Sequence, residues 1–216
     1  MATLCIETAT EHGMVVVARD GESLACARWR AAGRHGENLF AQIESALDEA
    51  DVSRSELSLI GVDVGPGKFT ALRVGLATAK GLALGLDLPI VGVSSLRVLA
   101  RSTDADPSLV RVPVMNAYRG DVFAAAYLVE GDELVELQAP TFGPPHEAFS
   151  RIRELVGNRG VAIRGEGTAE ADALLAEVRQ VFHDRGPADL ALLEPQYLRP
   201  SDAQLPERPL RTEHSR

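Results

Sequence analysis

Apolar and polar positions alternate over short runs at the start of the chain and then switch to helical spacing. Residues 3–7 read as a short apolar strand and 14–18 as a second. Residues 23–30 read as a third, with Leu24, Cys26 and Arg28 on one face and Ala25, Ala27 and Trp29 on the other. Asp20-Gly21 is a tight hairpin turn, so three antiparallel strands open the fold. A helix over 37–50 follows, with Leu39, Ile43, Ala46 and Ala50 on one face and Phe40 and Leu47 beside them. Ser53 and Ser55 cap a short helical turn before a strand over 59–64. Gly65-Pro66-Gly67 breaks that strand, and a run of good helix formers from Phe69 to Leu86 continues until Asp87-Leu88-Pro89 stops it. A strand over 89–93 and a helix capped by Ser94 or Ser95 close the first half.

The second half begins again with strands over 109–115, 122–129 and 133–139, joined by a polar turn at 116–121 and by Gly131-Asp132. A helix over 145–156, a strand over 161–163, the turn Gly165-Glu166-Gly167 and a helix through Phe182 follow. Both halves therefore run hairpin strands, helix, strand, Gly-x-Gly, helix, a repeated βββαβαβ-type plan without an alignable duplication. The Asp-, Ser- and Pro-rich stretch 101–108 separates an N-terminal lobe over 1–104 from a C-terminal lobe over 105–200. Residues 187–193 form at most two helical turns, and the polar, proline-rich 201–216 is expected to be disordered.

The helix over 69–86 is apolar or small on nearly every side. One stripe is Leu72, Leu76, Ala79, Ala83 and Leu86; another carries Ala77, Gly81 and Gly85 at spacings of four, which lets a second backbone come close. Each interior glycine costs about 1 kcal/mol against alanine. Either both faces are in use or the helix lies fully buried at the centre of the fold. Arg73, Lys80 and the short length exclude a membrane span.

A glycine turn ahead of a helix suits an anion, but the known phosphate motifs fail here. A P-loop needs glycine where Val62 sits and Ser or Thr where Phe69 sits; a dinucleotide fingerprint needs a third glycine where Thr70 stands. Lys68 and Lys80 are the only lysines, and Lys68 either holds an anion or is a solvated loop residue. The formal charge of −9 repels nucleic acid and anionic membrane, so contact with RNA needs a partner's positive surface. Cys5 and Cys26, without a CxxC or a secretory signal, fit reduced thiols in a cytoplasm. His12, His35, His146, His183 and His214 are scattered, and Leu39 stands where a second helical histidine would have to follow His35, so no metal site is expected.

A duplicated α/β fold of this order is similar to the two-lobed actin, Hsp70 and sugar-kinase group, the ASKHA or ribonuclease H-like fold. In that group the first hairpin turn carries an acid followed by glycine, and the matching turn of the second lobe carries another acid. Here those turns read Glu7-Thr8-Ala9-Thr10 and Asn116-Ala117-Tyr118-Arg119, an acid without glycine and an amide that cannot act as a general base or carry charge for Mg²⁺. Glu7, Thr8, Gly65, Gly67, Lys68, Gly165 and Gly167 stand as candidate anion or nucleotide contacts, and no residue stands as catalytic.

Four segments together carry a resemblance to the TsaB (YeaZ) family, the partner of TsaD in making N6-threonylcarbamoyladenosine on tRNA. They are Ile6-Glu7-Thr8-Ala9-Thr10, Gly65-Pro66-Gly67 through Lys80-Gly81-Leu82-Ala83, Val91-Gly92-Val93-Ser94-Ser95-Leu96 and Pro195-Gln196-Tyr197-Leu198-Arg199. The chain departs from the family at Lys68, usually serine, at Asn116-Ala117-Tyr118, often Asp-Ala-Arg, and in a shorter stretch before Tyr197. The resemblance implies a non-catalytic, cytoplasmic subunit that pairs with TsaD, joins TsaE in a complex, and pairs with itself when alone. It implies transfer of threonylcarbamoyl to adenosine 37 of tRNAs reading codons that begin with A, with tRNA contacted only through the complex. ATP and metal are expected on the partner subunits and no cofactor on this chain. Leu39, Ile43, Ala46, Arg73, Leu76, Ala77, Lys80, Gly81 and Leu84 are the expected partner contacts. The alternative is an autonomous small-molecule kinase or ATPase of the same fold; a metalloendopeptidase fails for lack of ligands.

Overall fold

The computed structural model describes residues 1–31, 35–167 and 169–199. The strands β1 (Ala2–Glu7), β2 (His12–Arg19) and β3 (Glu22–Arg30) form an antiparallel meander. Asp20 and Gly21 both take positive φ in the turn that joins the last two, the backbone a two-residue hairpin requires. The helix α1 (His35–Glu49) leads to β4 (Leu57–Gly65), then α2 (Phe69–Leu86), β5 (Ile90–Ser94) and α3 (Ser95–Arg101). β4 and β5 join in parallel and give the order β3-β2-β1-β4-β5. Every residue of β1 is buried, because this sheet is covered on both faces, as continuous apolar strands usually are. Leu4, Ile6, Val15, Val17, Ile60 and Val62 share a core with α1 and α2; Cys5, Met14, Val16 and Leu59 belong to the core on the other face.

The second lobe holds β6 (Val110–Tyr118), β7 (Asp121–Glu130), β8 (Glu133–Gly143), α4 (Pro145–Val156), β9 (Val161–Arg164) and α5 (Ala171–Arg185). Its sheet order, β8-β7-β6-β9, repeats β3-β2-β1-β4 with the same pairing senses, and this is the two-lobed actin-like arrangement. The repeat is not complete. A fifth strand is absent from the second sheet among the described residues, and α5, expected as the closing helix of the second half, packs on the first sheet instead. Leu174, Leu175 and Val178 join Cys5, Met14 and Val16 there. Gly61 of β4 makes this approach possible, since a Cβ at that position would stand 2.5 Å from a methyl of Val178. The chain after α5 also returns to the first sheet: the Ala188 N–H donates to the Ile90 carbonyl at 2.8 Å and the Gln196 N–H to the Val64 carbonyl at 2.7 Å. Residues 187–193 make a turn rather than a helix.

One buried carboxylate ties these parts together. Glu177 of α5 is fully buried and pairs through one oxygen with Arg97 Nε and through the other with Arg101 Nε at 2.6 Å, both on α3. The same arginines donate to the Leu134 carbonyl at 3.3 Å and the Asp132 carbonyl at 2.8 Å, at the turn between β7 and β8. Removing the carboxylate strands two largely buried guanidinium groups, a loss that ordinarily costs roughly 3–5 kcal/mol. Glu177→Ala is therefore expected to lower the unfolding free energy by about that amount in urea titrations, and Glu177→Gln by less, because the amide oxygen still accepts one bond.

Candidate functional site

The register of β1 against β4, with Ile6 opposite Val62, brings Glu7 beside Asp63 at the carboxyl ends of two parallel strands. Both are buried. The Ala9 N–H donates to Glu7 Oε1 at 2.8 Å, and Asp63 Oδ1 accepts the Gly65 N–H and the Ser95 hydroxyl, each at 2.6 Å. Burial pushes the Glu7 carboxyl up to about 8, helped by the charge of Asp63, although the Ala9 N–H opposes the rise. Burial pushes Asp63 up to about 7 against the Ser95 and Gly65 hydrogen bonds. The second lobe closes over the pair through Met115, Gly167 and Ala169, leaving a cavity of about 10 Å³, room for about one water.

The turn after Glu7 is occupied by contacts within the chain. Ala9 accepts the Lys68 N–H at 2.8 Å, and the Thr8 hydroxyl donates to the Ala71 carbonyl at 2.9 Å. A Cβ on Gly67 would stand 2.4 Å from the Ala9 carbonyl oxygen, so that glycine serves close packing of the turn on α2. Lys68 Nζ pairs with Glu11 at 2.8 Å. Thr8, Gly67 and Lys68 are thus engaged with neighbours, and Gly65, with φ of 104°, makes the strand-to-helix turn. Gly165 and Gly167 have open space around them, and Glu166 between them accepts the Asn116 N–H at 3.0 Å. Asn116 is a turn former: its side-chain oxygen accepts the Tyr118 N–H at 2.8 Å.

The helix α2 has two different faces. Leu72, Leu76, Ala79 and Ala83 are buried, whereas Arg73, Ala77, Gly81, Leu84 and Gly85 are exposed, so the fully buried alternative is wrong. By length and composition α2 is apolar enough to cross a membrane, but its buried face lies on the first sheet. Leu84 is 73% exposed, and a Cβ on Gly81 or Gly85 would meet nothing within 4 Å. Leu39, Ile43, Ala46 and Leu76, expected as partner contacts, are corrected: all four lie in the core under the first sheet. Their helical spacing marks the inward stripe of α1 and α2, and an inward stripe cannot also be a docking face. Lys80 bridges to the carbonyls of Ala191 and Leu193 and fastens the chain after α5 along α2.

Among the described residues no group of three or more His, Cys, Asp or Glu could hold a metal ion. Comparison with known proteins now adds the family. The family described as TsaD, tRNA N6-adenosine threonylcarbamoyltransferase, matches residues 29–203. The tRNA threonylcarbamoyladenosine biosynthesis protein TsaB of Escherichia coli K12 is 33% identical over 132 residues, 59% of this chain and 55% of that protein. TsaB of Bacillus subtilis is 26% identical over 226 aligned positions, 94% of this chain and 96% of that protein. The chain belongs to the threonylcarbamoyltransferase family, in its TsaB (YeaZ) branch. The YeaZ structure from Pseudomonas aeruginosa shares the fold, with a TM-score of 0.77 at 22% identity, covering 91% of this chain and 99% of that one.

Within this TsaB-type fold the residue that sequence reading missed is Asp63. Its signal was present, a lone acid inside the apolar run 59–64, where an ionisable group needs partners. Ser95, read only as a helix cap, supplies one of them. Both carboxyls have folded pKa values above their unfolded values of about 4, so the folded chain holds more protons between those limits. Stability should therefore fall as pH rises from about 5 to about 8. Glu7→Gln, neutral throughout, should flatten this slope, a difference readable in urea midpoints taken across that range.

Proposed function

We propose that this chain is a non-catalytic scaffold and activating subunit for tRNA threonylcarbamoyladenosine formation, pairing through α2 with a TsaD-type transferase. The family and the TsaB relatives support the modification pathway. The observation that carries the subunit role is the outer face of α2, where Ala77, Gly81, Leu84 and Gly85 lie exposed along one stripe. Small residues at spacings of four let a second helix approach closely, and a free chain gains nothing from them. ATP, metal and the transfer chemistry are assigned to partner subunits, TsaE among them, and tRNA meets this chain only through the complex. In the absence of the transferase the same stripe is expected to pair two copies of this chain.

The alternative, an autonomous kinase or ATPase, needs a phosphate-accepting turn and a charged base in the cleft. The cavity beside Glu7 and Asp63 has room for about one water, and the turn at Thr8 and Ala9 is bonded to α2. Those facts favour the subunit reading. Co-expression with the transferase of the same organism, followed by sizing, tests it. The wild-type chain is expected to elute as a stable complex. Gly81→Glu should fold normally, because its new side chain starts in open space, yet lose the complex by about 100-fold or more through a buried unpaired charge. Wild-type complex formation by this variant would remove α2 from the interface.

A further inference from the structure

A second feature of the surface lies where α2 begins. Phe69, Tyr118 and Tyr197 stand around a cavity of about 460 Å³ floored by Phe123 and Leu198. The three wall residues are 47%, 41% and 44% exposed, a cluster of aromatic faces open to solvent. Tyr118 holds this position with φ of 64°, a backbone conformation that costs an L-residue energy and persists where surrounding structure requires it. No carboxylate lines the cavity, in a chain whose net charge is −9.

Arg73 stands at the rim, one turn before Ala77. Its guanidinium lies 3.8 Å from the centre of the Phe69 ring, and its Nε donates to the Tyr197 hydroxyl at 2.8 Å. It makes no ion pair among the described residues, and its terminal nitrogens donate to none of them. A guanidinium stacked and oriented in this way is ready to accept a carboxylate in a two-point contact. Aromatic walls with an oriented arginine are also the composition of interface hot spots.

We propose that this cavity is the anchor point of the protein partner: it receives an aromatic side chain of the transferase subunit while a neighbouring carboxylate of the same segment pairs with Arg73. This rests on the reading of α2 as the partner surface. Continuity favours a polypeptide as occupant, because a chain lying along Leu84, Gly81 and Ala77 arrives at Arg73 and the cavity mouth next.

The test titrates the purified transferase into the wild-type chain and into Arg73→Gln, Tyr118→Ala and Leu84→Asp, each at low and high salt. All three side chains are exposed, and circular dichroism checks the fold of each variant. Arg73→Gln and Tyr118→Ala are each expected to weaken binding by about 10–100-fold. Only Arg73→Gln should also reduce the salt dependence, since it alone removes a charge pair. If Leu84→Asp abolishes binding while the other two bind at wild-type strength, the anchor is overturned and the α2 reading stands. If the wild type fails to bind, or all three variants bind at wild-type strength, the α2 reading fails and the anchor with it. Stoichiometric binding of adenosine monophosphate to the free chain, lost in Tyr118→Ala while the protein complex is unchanged, would make the cavity a nucleotide site and overturn the anchor.

Discussion

The two lobes are held in one arrangement by a carboxylate that no solvent reaches. Glu177 divides its two oxygens between Arg97 and Arg101, and those arginines reach on to the carbonyls of Leu134 and Asp132. Buried charge is costly unless each partner is satisfied, so α5, α3 and the turn between β7 and β8 have little freedom to separate. This clamp fastens α5 to α3, on the first sheet rather than on the sheet of its own lobe. Once α5 lies across the first sheet, Val178 sits over Gly61 and the second face of that sheet is closed.

The same closure shapes the acid pair. In a two-lobed fold that turns over substrate, the lobes must part to admit it and the turn after β1 must face the ligand. Here Thr8 and Ala9 are bonded to the first turn of α2, and the residual space beside Glu7 and Asp63 is about the size of a water molecule. The carboxyls respond to burial with raised pKa values, the response of acids held away from solvent. Perturbed acids in a cleft often mark catalysis. In this chain the hydrogen bonds of the pair go to Ala9, Gly65 and Ser95 of the first lobe, and Met115, Gly167 and Ala169 close the space beside it.

Most of the fold was legible because its signals are local. Asp20-Gly21 between alternating strands, Pro145 opening α4 and the glycine break before Phe69 each specify backbone without reference to the rest of the chain. What was not legible depends on partners distant in sequence. The stripe of Leu39, Ile43 and Ala46 reads the same whether it faces a sheet or another protein, and only the sheet's position shows that it is core. The seat of α5 likewise depends on the space left by Gly61, more than a hundred residues earlier. The acid pair was half visible: Glu7 belongs to a turn motif, but Asp63 becomes its neighbour only through the parallel register of β1 and β4.

Glycine carries two opposite meanings in this chain, and the difference bears on what α2 is for. Gly61 and Gly67 are pressed against Val178 and Ala9, where any side chain would collide, so their cost to backbone entropy is offset by contacts already made. Gly81 and Gly85 face open space in the middle and last turn of a helix, where alanine would stabilise the free chain by about 1 kcal/mol each. Among the described residues no contact with Gly81 or Gly85 offsets that loss. A helix that gives up stability on the side turned away from its own core, and carries the exposed Leu84 along that side, is what the proposed contact with a second chain would use.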